Sequence, residues 1–369
     1  MKSLLDILDL NRGELQRLID TASDIKEFPG RYSHACEGKI LATLFFEPST
    51  RTRMSFESAM LSLGGGVISM ADAVSSSSAK KGETVIDTAR VISCYADIIA
   101  IRHFKEGAAL AAADKGTVPV INAGDGGHGH PTQTLTDLMT IYSEKGRMDD
   151  LTIGIAGDLK YGRTVHSLIS ALSLLDGIRL VLISPKELAL PQYIIDSVIT
   201  PNHMDYIESR SLEEHIDELD VIYMTRIQQE RFEDPSAYER LKDSFILDGS
   251  LMESAKDDCI VMHPLPRVNE IAPEVDEDKR ACYFRQVANG RFVRMALIKM
   301  LLEEAEKNPA EKEIGLASRA VRMPEEEAGK HRCANERCVT FTEPSTEPIF
   351  VSDDGEHFRC AYCEEALAL

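Results

Sequence analysis

From Ile40 to Pro264 short apolar runs alternate with amphipathic stretches, and few folds can bury both. A short apolar run suits a strand covered on both faces, and the amphipathic stretch after it supplies the cover, so the alternation reads as βα units building parallel sheets. Two series are visible. The first places strands at Ile40–Glu47, Gly66–Met70, Asp97–His103 and Val118–Gly124. Between them Phe56, Ala59, Met60 and Leu63 recur at the spacing of a buried helix face, as do Val85, Ala89 and Ile92. The second series places strands at Leu151–Asp158, Ile178–Ser184, Asp220–Thr225, Phe245–Gly249 and Cys259–Pro264. The break falls near Ser143–Asp150, and Val287–Glu306 reads as a long closing helix.

These marks divide the 369 residues into a domain over 1–145 completed by helix 287–306, a domain over 146–286, a linker over 307–329, and a cysteine-rich module over 330–369. The length accommodates this, at ~100–200 residues per domain. Lys and Arg number 41 against 61 Asp and Glu, a formal charge of −20, so any anionic ligand must meet local positive charge. A protein that coats nucleic acid carries a net basic surface, so no nucleic-acid partner is expected. No apolar run approaches the ~18–20 residues that span a bilayer, and Met1–Leu10 alternates apolar with acidic residues instead of forming a signal peptide. The chain therefore reads as cytoplasmic, with no membrane partner.

Cys36, Cys94, Cys259 and Cys282 are scattered and read as core thiols. Cys333, Cys338, Cys360 and Cys363 instead form C-x4-C and C-x2-C pairs separated by 21 residues, the pattern of a tetrahedral zinc site. Four thiolates leave no open position for substrate or water, so one structural zinc per chain is expected, holding together a segment too short for a core of its own. Two disulfides are the alternative, which a reducing compartment disfavours. His331 and His357 are candidate substitute ligands, outnumbered by the thiols.

The strongest local signal is FFEPSTRTRMSFESAM, in which a strand ends at Pro48 and a cluster of hydroxyls and guanidiniums opens a helix. Ser49, Thr50 and Thr52 bring donors to the amides of the helix N-terminus, and Arg51 and Arg53 can each fork onto oxygens, which suits a phosphate group. The alternative is an ordinary cap flanked by two solvated arginines.

This stretch resembles the phosphate-binding signature S-T-R-T-R of the transcarbamoylases, which move the carbamoyl group of carbamoyl phosphate onto an amine. More of the family's pattern follows in order. Ser75–Thr84 resembles the mobile loop that reaches a neighbouring subunit's site, Ile101–His103 the carbonyl-binding strand end, and His130–Leu138 the segment that holds the carbamoyl group. Gly157–Ser167, Tyr223–Gln228 and Met262–Ile271 are similar to the aspartate-using branch, and His263-Pro264-Leu265-Pro266 stands where the ornithine branch carries H-C-L-P. The charge of the acceptor agrees, because a dicarboxylate needs arginine forks such as Arg163 and Arg226.

The resemblance implies an α/β chain with two doubly wound parallel-sheet domains, the active site between them, and a small C-terminal four-cysteine zinc domain. It implies an enzyme that transfers the carbamoyl group to the amine of L-aspartate, an early step of pyrimidine biosynthesis. Residue by residue, it makes Ser49, Thr50, Arg51 and Thr52 the phosphate cradle, joined by Ser77 and Lys81 from the adjacent subunit of a catalytic trimer, with a larger assembly left open. Thr52, Arg102 and His130 would face the carbamoyl oxygen. Gln133 and the carbonyls of Pro264 and Leu265 would orient the carbamoyl amide and incoming amine, and Arg163, Arg226 and Gln228, with Lys81, would bind aspartate. Phe104 departs from the pattern, where the family carries proline.

The cysteine-rich segment resembles the zinc domain of the family's regulatory chain, elsewhere a separate polypeptide. The linker of about 25 residues is too short for that chain's nucleotide-binding domain, which implies no CTP or ATP response from this chain alone. Gly124, Gly126 and Gly129 match G-x-G-x-x-G after a strand, but no acidic residue stands at the end of the next strand at the offset a dinucleotide site needs. An active-site loop explains them better. His103, His166 and His263 read as structural, and Lys80, Lys81 and Lys105 could form a solvated basic face. Two rivals stand beside the main reading: a transcarbamoylase for another amine, and a non-catalytic zinc-bearing scaffold, which would have no need for convergent guanidiniums.

Overall fold

The structure is a computed structural model that describes residues 3–72, 81–228, 232, 234–308, 321–343, 345–352, 355 and 357–367. Ser77, Lys80 and most of the expected linker lie outside the described residues. The chain divides into two compact units, residues 1–132 with 291–369, and residues 133–290.

The first unit is built on β1 (Ile40–Phe45), β2 (Gly66–Met70), β3 (Ile98–His103) and β4 (Val120–Asp125), all parallel, in the order β2-β1-β3-β4. Helices α1 (Arg12–Glu27), α2 (Thr50–Ser62), α3 (Val85–Ile92) and α4 (Ala108–Lys115) belong to it. The periodic face of α2 is buried through Phe56, Ala59 and Met60, and Val85 and Ala89 of α3 pack with Leu44, Ile99, Ile101 and Val120 of the strands. Helix α2 stops where Gly64 takes a φ of +83°, a conformation that costs a residue with a Cβ about 1–2 kcal/mol.

The sequence passes into the second unit within α5 (Pro131–Lys145) and back within α8 (Tyr283–Lys307). That unit holds β5 (Thr152–Ala156), β6 (Arg179–Ile183), β7 (Asp205–Ser209), β8 (Val221–Met224) and β9 (Ile260–Met262), again all parallel, in the order β7-β6-β5-β8-β9. Helix α6 (Arg163–Leu172) follows β5. One expectation fails here and one strand goes unforeseen. Phe245–Gly249 is not a ladder strand: only Leu247 pairs, with Ile271, before α7 (Gly249–Ser254) begins with Asp248 as its cap. The true fifth strand is β7, whose DYIES sequence is half exposed at the sheet edge.

Both sheets are doubly wound. In the first, the crossovers from β1 diverge toward β2 and β3; in the second, those around β5 diverge toward β6 and β8. Such a switch point opens a crevice beyond the carboxyl ends of the two central strands, where ligands of open α/β sheets bind. The third sheet is small and antiparallel, β10 (Val321–Arg322), β11 (Phe350–Ser352) and β12 (Arg359–Cys360), and belongs to the first unit. Among the described residues no helix is long and apolar enough to cross a membrane.

Candidate active site and metal module

At the switch point of the first sheet, β1 runs into Glu47 and then into α2, with Ser49 as N-cap. The Ser49 hydroxyl bonds Thr52 Oγ1 at 3.0 Å and is not spent on the helix amides, so this helix start lacks the side-chain cap that most helices carry. Thr50 and Arg51 are exposed there and Thr52 is buried. Arg53 does not join them. Its guanidinium donates to Glu57 at 3.0 Å and to Ser69 at 3.2 Å, so the expected second fork is used to tie α2 to β2.

Arg102 is the penultimate residue of β3 and is buried, which requires compensation for its charge. Glu47 supplies it, accepting from Nη2 at 2.7 Å, while Nη1 faces the Ala123 carbonyl and His130 Nε2, each at 3.4 Å. The guanidinium lies against Gly124, whose φ is +118° and where an added Cβ would stand 2.9 Å from Nη1. That glycine is therefore a seat for Arg102, not part of a dinucleotide loop. Asp125 organises the rest of the turn, accepting from the amides of Gly107 and Gly129 and from Asn122 and His128. Burial pulls the His128 imidazole down, but the Asp125, Glu364 and Asp6 carboxylates outweigh it and hold it well above the usual histidine range. His103 goes the other way: burial lowers it to about 3, and its Nδ1 accepts from the Lys105 amide at 2.9 Å, so it is a neutral structural ring. Lys105 pairs with Glu343 and is no part of a solvated basic face, whereas Lys81 is exposed.

In the second unit the strand ends at the switch point carry the other candidates. Arg163 opens α6 after β5, and Arg226 and Gln228 follow β8. Gln228 Nε2 donates to the Tyr161 carbonyl at 3.3 Å, which ties the two segments together. Gly157 permits this approach: its φ is +120°, and a Cβ there would overlap the Thr225 carbonyl. Gly157→Ala should therefore push these strand ends apart, lowering stability by about 2–4 kcal/mol in urea titration.

A buried carboxylate inside the His130–Leu138 segment, not among the expected site residues, organises this half. Asp137 accepts from Gln133 Nε2 at 2.8 Å, Gln286 Nε2 at 2.7 Å and the Tyr223 hydroxyl at 2.9 Å. This bond assigns the Gln133 amide nitrogen to Asp137. Gln286 in turn accepts from the His263 amide at 3.0 Å. His263 donates from Nε2 to Glu270 at 2.7 Å and accepts at Nδ1 from the Leu265 amide at 2.7 Å, which these partners assign to one tautomer. Leu265 has a φ of +53°, a strained setting for a branched residue, so the Pro264–Leu265 backbone is held by its surroundings. His166 is structural as read, with Nε2 on the Leu159 carbonyl at 2.8 Å.

The four C-terminal cysteines come together, their sulfurs all within 4.8 Å of one another, with Cys333 to Cys363 at 3.4 Å and Cys338 to Cys360 at 3.8 Å. A tetrahedron of ~2.3 Å metal–sulfur bonds has edges of about 3.8 Å, so four thiolates so placed fit a metal ion. All eight cysteines of the chain are free, and the four C-terminal sulfurs form one cluster in place of two bonded pairs. His331 stacks edge-on against Phe350 and is not in the cluster. The module packs through Met323, Val339, Phe350 and Tyr362 on Ile86 of α3 and on Leu110 and Ala111 of α4.

Two open parallel sheets with cationic side chains at their switch points define a chain of the doubly wound α/β class with local positive charge at the strand ends. Comparison with known proteins makes this specific. Residues 2–143 match the carbamoyl-P binding domain of aspartate/ornithine carbamoyltransferases, 149–301 their Asp/Orn binding domain, and 328–368 the metal binding domain of the aspartate carbamoyltransferase regulatory chain. The aspartate carbamoyltransferase catalytic subunit of Lachnoclostridium phytofermentans is 58% identical over 302 residues, 82% of this chain and 98% of that protein. Among solved structures, the catalytic subunit of M. jannaschii aspartate transcarbamoylase superposes with a TM-score of 0.78 at 50% identity, covering 83% of this chain and 99% of that one. The Trypanosoma cruzi aspartate transcarbamoylase in complex with carbamoyl phosphate and aspartate does so with a TM-score of 0.76 at 38% identity, covering 81% and 96%. The chain belongs to the aspartate/ornithine carbamoyltransferase family.

Proposed function

We propose that this chain is an aspartate carbamoyltransferase, converting carbamoyl phosphate and L-aspartate to N-carbamoyl-L-aspartate and phosphate, with each substrate held at one switch point. The observation that carries this is what the strand ends present in each unit. One has a hydroxyl-rich, guanidinium-bearing helix start beside Arg102 and His130, and the other has Arg163, Arg226 and Gln228. Ser49, Thr50, Arg51 and Thr52 cradle the phosphate, with Ser77 and Lys81 of an adjacent subunit. Thr52, Arg102 and His130 receive the carbamoyl oxygen as it gains charge, a task for preorganised donors. Gln133 and the carbonyls of Pro264 and Leu265 accept from the carbamoyl NH2 and steer the amine. Arg163, Arg226 and Gln228, with Lys81, hold the two carboxylates of aspartate.

The amine attacks the carbamoyl carbon directly, and the tetrahedral intermediate expels phosphate, which is itself a proton acceptor. Positioning and charge are then the protein's whole contribution, and no covalent enzyme intermediate is required. His103 and His263 are both committed to structural hydrogen bonds, which supports His130 as an oxyanion donor and leaves the proton to the phosphate. The four-cysteine module holds zinc as a closed structural ion, and the reduced thiols suit a cytoplasmic protein. Met54 and Leu61 of α2 and Ile68 of the edge strand β2 are exposed apolar residues on the first unit and support self-association as a catalytic trimer.

The test is product formation from carbamoyl phosphate with L-aspartate and L-ornithine offered in parallel. Carbamoyl aspartate alone is the expected product. Carbamoyl ornithine would overturn the acceptor assignment, and turnover of neither would favour another amine or a non-catalytic scaffold.

A further inference from the structure

In the second unit one buried carboxylate is joined by hydrogen bonds to both groups proposed to accept from the carbamoyl NH2, and it has no proposed contact with substrate itself. Asp137, on α5, has no exposed surface. A carboxylate so buried needs donors at its oxygens, and three elements supply them. From one turn earlier on α5, Gln133 Nε2 donates to Oδ1 at 2.8 Å. Gln286 Nε2, in the first turn of α8, donates to the same oxygen at 2.7 Å. The Tyr223 hydroxyl of β8 donates to Oδ2 at 2.9 Å, and burial together with this carboxylate holds it well above the usual phenol range, so it stays a donor.

The Gln286 arm runs on to the turn after β9. Its Oε1 accepts from the His263 amide at 3.0 Å, and His263 Nδ1 accepts from the Leu265 amide at 2.7 Å. Glu270 holds the other ring nitrogen, so the imidazole is fixed on both sides. The Leu265 N–H and the Pro264 carbonyl belong to one planar trans peptide, so holding the first fixes the direction of the second. Asp137 is thus one hydrogen bond from Gln133 and three from the peptide of Pro264. It is where the two arms meet.

To receive both hydrogens of one NH2 group, two acceptors must stand at the spread of that group. We infer that Asp137 is a positioning residue that sets Gln133 and the Pro264–Leu265 carbonyls at this spacing, and through it the chain prefers carbamoyl phosphate to an acyl phosphate. Acetyl phosphate is the nearest such competitor, with a methyl group in place of NH2. A methyl group gives no hydrogen to a waiting oxygen, so acceptors in register reject it, whereas acceptors out of register do not tell the two apart. The inference rests on the roles proposed for Gln133, Pro264 and Leu265, and adds what holds them together and what that discriminates.

The test measures Kd for carbamoyl phosphate and for acetyl phosphate by titration calorimetry, on the full chain and on its Asp137→Asn, Gln286→Met and Tyr223→Phe variants. Asparagine keeps the shape of Asp137 but puts an NH2 where one oxygen accepts, so one donor is turned away. Wild type is expected to bind carbamoyl phosphate at least about tenfold more tightly than acetyl phosphate. Asp137→Asn should weaken carbamoyl phosphate about tenfold and leave acetyl phosphate within about twofold. Tyr223→Phe removes a donor that belongs to neither arm, so it should lower the melting temperature and keep the preference. A preference kept in Asp137→Asn, or lost equally in Tyr223→Phe, overturns the inference. So does a parallel loss of both phosphates, which would make Asp137 structural only. Should Asp137→Asn not fold, Gln286→Met cuts the arm to Pro264 alone, with a preference reduced about threefold expected and an unchanged one overturning the inference. A wild type that binds both phosphates equally, or neither, removes the acceptor roles themselves and the inference with them.

Discussion

Arg102→Ala is expected to lower kcat by a factor on the order of 10² to 10³ while leaving KM for aspartate within a few fold, the scale for removing one preorganised oxyanion donor. The guanidinium is buried and held on three sides by Glu47, Ala123 and His130, so in the role proposed for it the group is already oriented before substrate binds. No reorganisation is then needed as charge develops. Arg102→Lys should recover little, because a single ammonium cannot serve Glu47 and the Ala123 carbonyl and still face the substrate. Steady-state rates with carbamoyl phosphate and aspartate decide it. An Arg102→Ala enzyme within tenfold of wild type would show that the charge at this strand end is structural, there to balance Glu47.

Cys338→Ser is expected to have the second large effect, on the fold instead of the chemistry. A structural zinc site of this type is worth about 10–16 kcal/mol of binding free energy at neutral pH, and a small segment has little else to hold it. Its described core is a handful of side chains, Met323, Val339, Phe350 and Tyr362 chief among them, which pack with residues of α3 and α4. With one thiolate gone, bound metal should fall from one per chain to near zero. Protease should then remove the segment beyond residue 320 at least about tenfold faster than in wild type, and an apparent melting temperature should fall because Ile86 and Leu110 lose their cover. Metal analysis alongside limited proteolysis checks this. Full metal content with native resistance would mean that three cysteines and a neighbouring group suffice.

The alternation of apolar and amphipathic stretches reveals both parallel sheets because buried strands must be apolar on both faces. It misses β7 because that strand is an edge, half exposed, and its DYIES sequence carries the composition of a loop. It misreads Phe245–Gly249 because a short apolar run before a capping aspartate looks the same whether it enters a sheet or only leads into a helix. The cations of the site and the four thiols stand out by their chemistry and spacing. Their supports do not. Glu47, Asp137, Glu106 and Glu343 are acids whose partners Arg102, Tyr223, Asn335 and Val85 lie 55 to 258 residues away, so only the fold brings each pair together. Even Glu270, seven residues from His263, meets it only because the intervening turn folds back. The signal available for Glu47 was a rule and not a motif. A buried Arg102 at a strand end had to have a carboxylate near it, and Glu47 at the exit of the adjacent strand was the acid within the motif.

The order of the two units along the chain has a consequence for how such enzymes can diversify. Arg163, Arg226 and Gln228, proposed for aspartate, and Gln133, Pro264 and Leu265, proposed to orient the carbamoyl amide and the amine, fall in one uninterrupted stretch, 133–290, whereas Ser49, Thr50, Arg51, Thr52, Arg102 and His130, and Lys81, proposed to serve both substrates, precede it. A single exchange of that inner stretch, with crossovers inside two helices, would thus replace the three proposed aspartate residues of the second unit together and leave the phosphate cradle and metal module untouched. Heredity could recombine one half of the reaction against many partners without ever having to reinvent the other.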